Sequence, residues 1–568
     1  MFLSSVKEQN HIAQIKSSEK PYSILVDEST DPRHKNYLMI LLQTVQDNMP
    51  YVTYYKNIHV LSGTAESLYQ AIMEEFEKDG LLEYMRRNLV GFVSDGASVN
   101  LGVKSSLCTR FKGFSNNEVV CVQCNAHKLH LAGRWGIKNE DFFTQLEKIV
   151  NEVYKFIFNK GHKRRDQLYQ LALEIGEVYL ELTQIHEIRW VSSEKESLHK
   201  LIKMWKSLVK CLDRMANDKS LDAATRSKAK ELFQKLSSRR FLLILHFCKD
   251  LVDALAIWSK YLQRTDQLLF DVKYSRDRMI RQFEKFIEKD GEKLKLFKSE
   301  VTCSGNLGGQ PGHWAKTGCN EQEILSSPKV EWRGVELPPV SETDVMPELD
   351  LVRTPAIENL IDELSFYFPD NTTSTYFAIF NNLEFPTDKT LLESHGQAEI
   401  KQVANTFGLT EPTYQDELAR EWKTTLQTMA GRADFCRLRK ETPRKFWFHY
   451  LNEMQIPQKV YNLLVRSLAL PSNTAAIERG FSIMGQFRTK TRNSLLPAAL
   501  DALIRVGWDP QHSVSLDKFP ADYYSNKWKQ THKRIDDPAY QYYVNRMNSG
   551  GDLYEAPGNE REGDDEEF

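Results

Sequence analysis

Two aspartates, Asp27 and Asp95, each stand at the close of an apolar run, and they are the first residues in the sequence with a chemistry to offer. Asp27 follows Ile24-Leu25-Val26, and Asp95 follows Val93-Ser94 and precedes Gly96. A carboxylate at the end of a buried strand is costly unless it accepts hydrogen bonds or meets a cation. Either one alone reads as a turn or helix-cap residue. On two internal, adjacent strands the pair would bring hard oxygen donors together, the kind of site that suits Mg²⁺ or Mn²⁺. Two such ions about 4 Å apart can activate a water and stabilise the leaving oxygen of a phosphoryl displacement. That chemistry needs a third carboxylate, for which Glu478 is the candidate. By periodicity alone Glu478 is an ordinary helix glutamate at the border of core and solvent.

A second cluster is Cys121-x-x-Cys124-x-x-His127-x-x-His130, four potential zinc ligands at regular intervals. Structural zinc sites usually separate two ligand pairs by a dozen or so residues, so that two arms fold around the ion. Here all four would cross directly from strand to helix, with Cys121 and Cys124 on opposite faces, so zinc is the less favoured reading. Cys303, His313 and Cys319 form a weaker cluster still. Two runs are basic: Arg479, Arg488, Lys490 and Arg492 after Glu478, and Lys160, His162, Lys163, Arg164 and Arg165. Each suits phosphate contact as well as it suits a solvated face.

The elements that would position these groups divide the chain in two. Over 23–130 the pattern predicts an α/β mixed sheet. Its strands are Ser23–Asp27, Tyr37–Val45 and Tyr51–Tyr55 with Ile58 and Val60, then Leu89–Ser94 and Val119–Val122. Asp47-Asn48-Met49-Pro50 is a hairpin turn signal. A helix over 65–79 aligns Leu68, Ile72 and Phe76, and another falls near 100–111. From 138 to 455 long amphipathic helices follow, among them Phe142–Phe158, Gln167–Leu182, Glu194–Met215 and Phe241–Leu262. The stretch 300–350, rich in Gly, then Glu, Pro and Ser, is expected to be a disordered loop. A helix over 472–485 begins at Pro471 with Ser472 or Asn473 as its cap, and buries Ile477, Phe481 and Met484. A last helix, Ser494–Val506, carries Leu496, Leu500, Leu503 and Ile504 on one face.

At 568 residues the chain exceeds one hydrophobic core, so two or more domains are expected. No apolar run reaches about 18 residues, so no membrane partner is expected, and the N-terminus turns polar too early for a signal peptide. Eight cysteines in this length read as free thiols of a reducing compartment. The net charge of −2 hides an acidic tail: residues 551–568 hold eight acids against one base, Arg561, which leaves +5 on the rest. That mild excess is compatible with nucleic-acid contact.

Several segments together resemble the hAT superfamily of DNA transposases. They are SILVDESTD at 23–31, VSDGASVN at 93–100, CNAH at 124–127, Arg189-Trp190, and LALPSNTAAIERGFSIMGQFRTKTRN at 468–493, and the likeness spans roughly 20–510. The last is the most specific, with its small residues, Glu-Arg, Phe-Ser, basic residues and Arg-Asn ahead of a Leu-rich helix. The resemblance implies a ribonuclease H-like core at 21–137 and 456–510, interrupted by an all-helical insertion at 138–455. Residues 1–20 would lead in, and 511–568 would form an extension with the acidic tail. It implies that Asp27, Asp95 and Glu478 are a metal-binding DDE triad with two Mg²⁺ or Mn²⁺ ions. It also implies that Cys124 and His127 lie near the active site, and that Arg189, Trp190, His127, Arg479, Arg488, Lys490 and Arg492 meet DNA. Trp190 would stack on a base extruded at the cut end, a contact worth about 1–3 kcal/mol. The last helix would join a homodimer or larger homo-oligomer, and the compartment would be the nucleus. Family members usually carry a BED-type zinc finger ahead of the core, and none precedes Asp27 in this sequence. The resemblance therefore implies either a truncated transposase or a host-recruited, transposon-derived protein that binds DNA or partners without transposing.

Overall fold

The computed structural model describes residues 2–508 apart from short breaks at 32–33, 139, 160–161, 186–189, 265, 307–312, 343, 371–372 and 489–494. Its centre is a mixed five-stranded sheet in the order β3-β2-β1-β4-β5, made of β1 (Tyr22–Thr30), β2 (Asn36–Gln46), β3 (Met49–Val60), β4 (Leu89–Ser94) and β5 (Val120–Gln123). The first three strands run as an antiparallel meander, while β4 and β5 lie parallel to β1. Asp47 and Asn48 both adopt positive φ, at 48° and 59°, so β2 and β3 meet in a two-residue turn that matches sheet twist. Met49 and Pro50, read from sequence as part of the turn, already pair with Gln46 and Val45. Pro50 is tolerated there because β3 is an edge strand.

The strands read as nearly unbroken apolar runs because both sheet faces are covered. On one face Ile24, Val26, Leu38 and Ile40 pack with Leu68, Ile72 and Phe76 of the helix Ala65–Lys78, and with Phe111 of the helix Leu107–Phe114. On the other, Leu25, Met39, Leu41 and Val93 join one core with the long helices. The fold is therefore mixed α/β with a large helical region, as expected. Among the described residues no helix is long and apolar enough to cross a membrane.

Three expectations need correction. The stretch 300–350 is no disordered loop. Its described residues form an antiparallel sheet of β6 (Thr302–Asn306), β7 (His313–Thr317), β8 (Lys329–Trp332) and β9 (Val335–Leu337), in the order β7-β6-β8-β9. The stretch 138–455, expected to be all helical, thus also holds strands. The missed signal was Val330-Glu-Trp332 and Val335-Glu-Leu337 around Arg333-Gly334, two short alternating strands joined by a turn whose φ values are 52° and 73°. Arg239 ties this sheet to the helix Arg239–Leu262 by donating to the carbonyls of Ile324, Ser327 and Leu337. The helix expected over 167–182 spans His162–Glu174 and closes at Gly176, with φ 72°, so Leu182 is buried from a segment that is neither helix nor strand. The thiols are not all free, because Cys108 and Cys121 form a disulfide across 6.1 Å between Cα atoms. They face one another between the helix Leu107–Phe114 and β5, a pairing that sequence spacing does not reveal.

His246, buried in the helix Arg239–Leu262, stacks on Phe297 at 4.4 Å and meets Trp332 edge-on. Its Nδ1 lies 2.7 Å from the Leu242 carbonyl oxygen, which can only accept. Burial drives its pKa down to about 3. The folded protein thus holds His246 neutral where the unfolded chain protonates it below pH 6.5. Stability is unaffected above that pH and is lost as the pH falls, by about 2 kcal/mol at pH 5. A His246→Phe variant should lose correspondingly less stability between pH 7.5 and pH 5 in thermal melts, and an equal loss would refute the assignment.

Candidate active site

Leu25 of β1 pairs with Val93 of β4 in parallel register. Continued by two residues, that register sets Asp27, inside β1, beside Asp95, the first residue after β4. Side chains alternate along a strand, so both aspartates share the face of Leu25 and Val93. The helix Ala475–Phe487 packs on that same face and carries Glu478 in its first turn. Gly480 lets it approach: a Cβ there would lie 2.2 Å from Met39 Sδ, and Met39 is the β2 partner of Asp27.

Asp27 is pushed up to about 7, first by burial and then by the charge of Asp95, with Glu478 and Glu28 adding; the Glu28 backbone N–H works the other way. The charges of Asp95 and Glu478 thus both reach Asp27. Asp95 Oδ1 accepts from Asn100 Nδ2 at 2.8 Å and from the Ala97 N–H at 3.1 Å, which fixes its rotamer. Asn100 was not singled out from sequence, although it lies within VSDGASVN. Gly96 leaves room for the Gln123 side chain, whose Nε2 would lie 2.1 Å from a Cβ there. Glu478 is exposed, and its carboxylate makes no hydrogen bond or ion pair among the described residues.

The start and end of the Glu478 helix are both anchored. It opens at Ala475 rather than 472, with Asn473 Oδ1 accepting from the Ala475 N–H at 2.9 Å. Ser472, expected as a possible cap, instead donates to Gln267 Oε1 at 3.0 Å, and Asn473 Nδ2 donates to the Arg264 carbonyl. From the sheet side, Asn125 Nδ2 and backbone N donate to the Ser472 carbonyl at 2.8 and 3.2 Å. Cys124 Sγ accepts from the Thr474 N–H at 3.4 Å. At the far end Arg488 forms an ion pair with Asp31 at 2.8 Å, and its guanidinium bonds the Tyr37 hydroxyl. Arg488 is buried and so serves the fold rather than DNA, a correction to the sequence reading.

Of the other expected contacts, Arg479 is half-buried with its guanidinium 5.4 Å from the centre of the Trp508 ring. His127 is half-buried one turn into the helix Asn125–Lys138, its ring 6.5 Å from that of His130. Arg189, Lys490 and Arg492 lie outside the described residues, as does the side chain of Trp190, whose backbone begins the helix Trp190–Asn217. The acidic tail also lies outside them. The disulfide engages Cys121, and Cys124 is buried against Thr474, which separates two members of the possible zinc set. Cys303 is buried in β6 and Cys319 is buried just beyond β7. Among the described residues no three His, Cys, Asp or Glu side chains are gathered closely enough to hold a metal ion. The helix Pro497–Gly507 buries Leu500 and Ile504 within its own chain and leaves Leu496 exposed. There Asp501 accepts from the Tyr54 hydroxyl and the Asn57 N–H at 2.6 and 2.8 Å.

No protein-family model matches the sequence.

Proposed function

We propose that this chain is a ribonuclease H-like, metal-dependent DNA strand-cleaving protein of the hAT transposase type. The observation that carries this reading is the placement of Asp27 in β1, Asp95 directly after the neighbouring β4, and the Glu478 helix on one face of a sheet ordered 3-2-1-4-5. The donor set suits a hard dication: all three groups are carboxylates, and Asp27 is pushed up first by burial and then by the charges of Asp95 and Glu478. Asp27, Asp95 and Glu478 would hold Mg²⁺ or Mn²⁺, and the bound ions would supply an activated water and charge stabilisation at the leaving oxygen. Asn100 keeps one oxygen of Asp95 engaged, which orients the other toward the site. Glu478, exposed and without a hydrogen bond, has the freedom to swing onto a cation between the aspartates. DNA is the substrate in this reading, which also proposes a homo-oligomer and a nuclear location.

The test is nicking and strand transfer on DNA with Mn²⁺ or Mg²⁺, comparing the wild type with Asp27→Ala and Glu478→Ala. Metal-dependent cleavage by the wild type alone is the expected result. Equal cleavage by all three proteins would overturn the site. No cleavage by any of them would leave the host-recruited, non-transposing form of the reading.

A further inference from the structure

We infer that Asn125 is a positioning residue, holding the start of the Glu478 helix at the height and rotation that bring Glu478 to the two aspartates. The inference rests on the reading that these three carboxylates form one cation site. Asn125 is 1% exposed and follows the end of β5, the strand beside Asp95. Its side-chain and backbone N–H groups both donate to one oxygen, the Ser472 carbonyl, across 347 residues of chain. That use of both lone pairs fixes the carbonyl in direction as well as distance.

Cys124 completes the connection. Its backbone N–H donates to the Ser94 carbonyl at 2.8 Å, next to Asp95, while its sulfur accepts from the Thr474 N–H. An unbroken path therefore runs from Asp95 through Ser94, Cys124 and Thr474 to Glu478, four residues further on. Apolar packing of Ile477 and Met484 already holds the helix to the sheet, but such contacts are non-directional and permit sliding. Directional bonds at the first residues remove that freedom. Metal ligands need positioning to about 0.5 Å, and the partners that orient them are worth about 10–100-fold in affinity.

The test is a double-mutant cycle read by Mn²⁺ titration calorimetry on the full chain. Asn125→Ala is expected to weaken Mn²⁺ binding about tenfold with little change in melting temperature. In a Glu478→Gln background the same substitution should change nothing further. A tenfold loss that persists in that background, or wild-type affinity in Asn125→Ala, overturns the inference. If Asp27→Ala leaves Mn²⁺ affinity unchanged, the site reading itself fails. Hydrogen exchange then decides the positioning role: Asn125→Ala should speed exchange at the amides of 474–480 while those of 92–94 keep wild-type rates. Unchanged exchange at 474–480 overturns it. Asn125→Ser, which leaves a smaller void, serves if the alanine variant folds poorly.

Discussion

Asp27→Asn and Glu478→Gln are each expected to lower Mn²⁺-dependent DNA nicking by about a thousandfold, roughly 4 kcal/mol of barrier. Each swap keeps the shape and removes one charge from a site in which every donor is anionic. The metal-free stabilities should move differently. Asp27 is largely buried and carries the repulsion of Asp95 and Glu478, so Asp27→Asn should raise the melting temperature at pH 8. Glu478 is exposed, and Glu478→Gln should leave it nearly unchanged. A fall in stability with Asp27→Asn would show that the aspartate is a structural hydrogen-bond acceptor. A gain in stability with loss of nicking marks a site whose charges are assembled for binding at the expense of the empty fold.

Arg488→Met is the second large effect, an expected loss of about 3–5 kcal/mol in urea unfolding. The cost comes from what is left behind. Asp31 and Arg488 have side-chain exposures of 0% and 2%, so removing the guanidinium takes this countercharge away from a buried carboxylate. Asp31→Asn combined with Arg488→Met should recover most of the loss, because a neutral amide tolerates that environment. Equal destabilisation of single and double variants would show that packing, not charge, is at stake. The pair also has a bearing on the site. Asp31 lies just beyond the strand of Asp27, with its carboxylate accepting from the Lys35 N–H at 2.9 Å, and Arg488 ends the helix of Glu478. Phosphate contact, the reading drawn from the basic run, therefore gives way at this position to alignment of strand and helix.

The parts of this protein that are local in the chain were legible without a structure. Burial on both faces wrote β1, β2 and β4 as apolar runs, and the Asp47-Asn48 turn followed from residues that tolerate positive φ. That Asp27 and Asp95 each follow an apolar run was equally local, although β1 runs on past Asp27 to Thr30. Glu478 was reachable through resemblance, since its own helix gave only a border position. The small sheet of β6–β9 was missed because its strands are three to five residues long, too short for periodicity to register against a Gly- and Pro-rich background.

Sequence alone thus marked the strands of the central sheet, most of the long helices and the two aspartates that follow apolar runs, because hydrophobic period and turn chemistry act over a few residues. Only the tertiary structure decided which of them meet. The Ser472 carbonyl bonded by Asn125, the Asp31–Arg488 pair and the Cys108–Cys121 bond depend on register and helix packing. Those are set by the whole core at once, and no spacing along the chain encodes them.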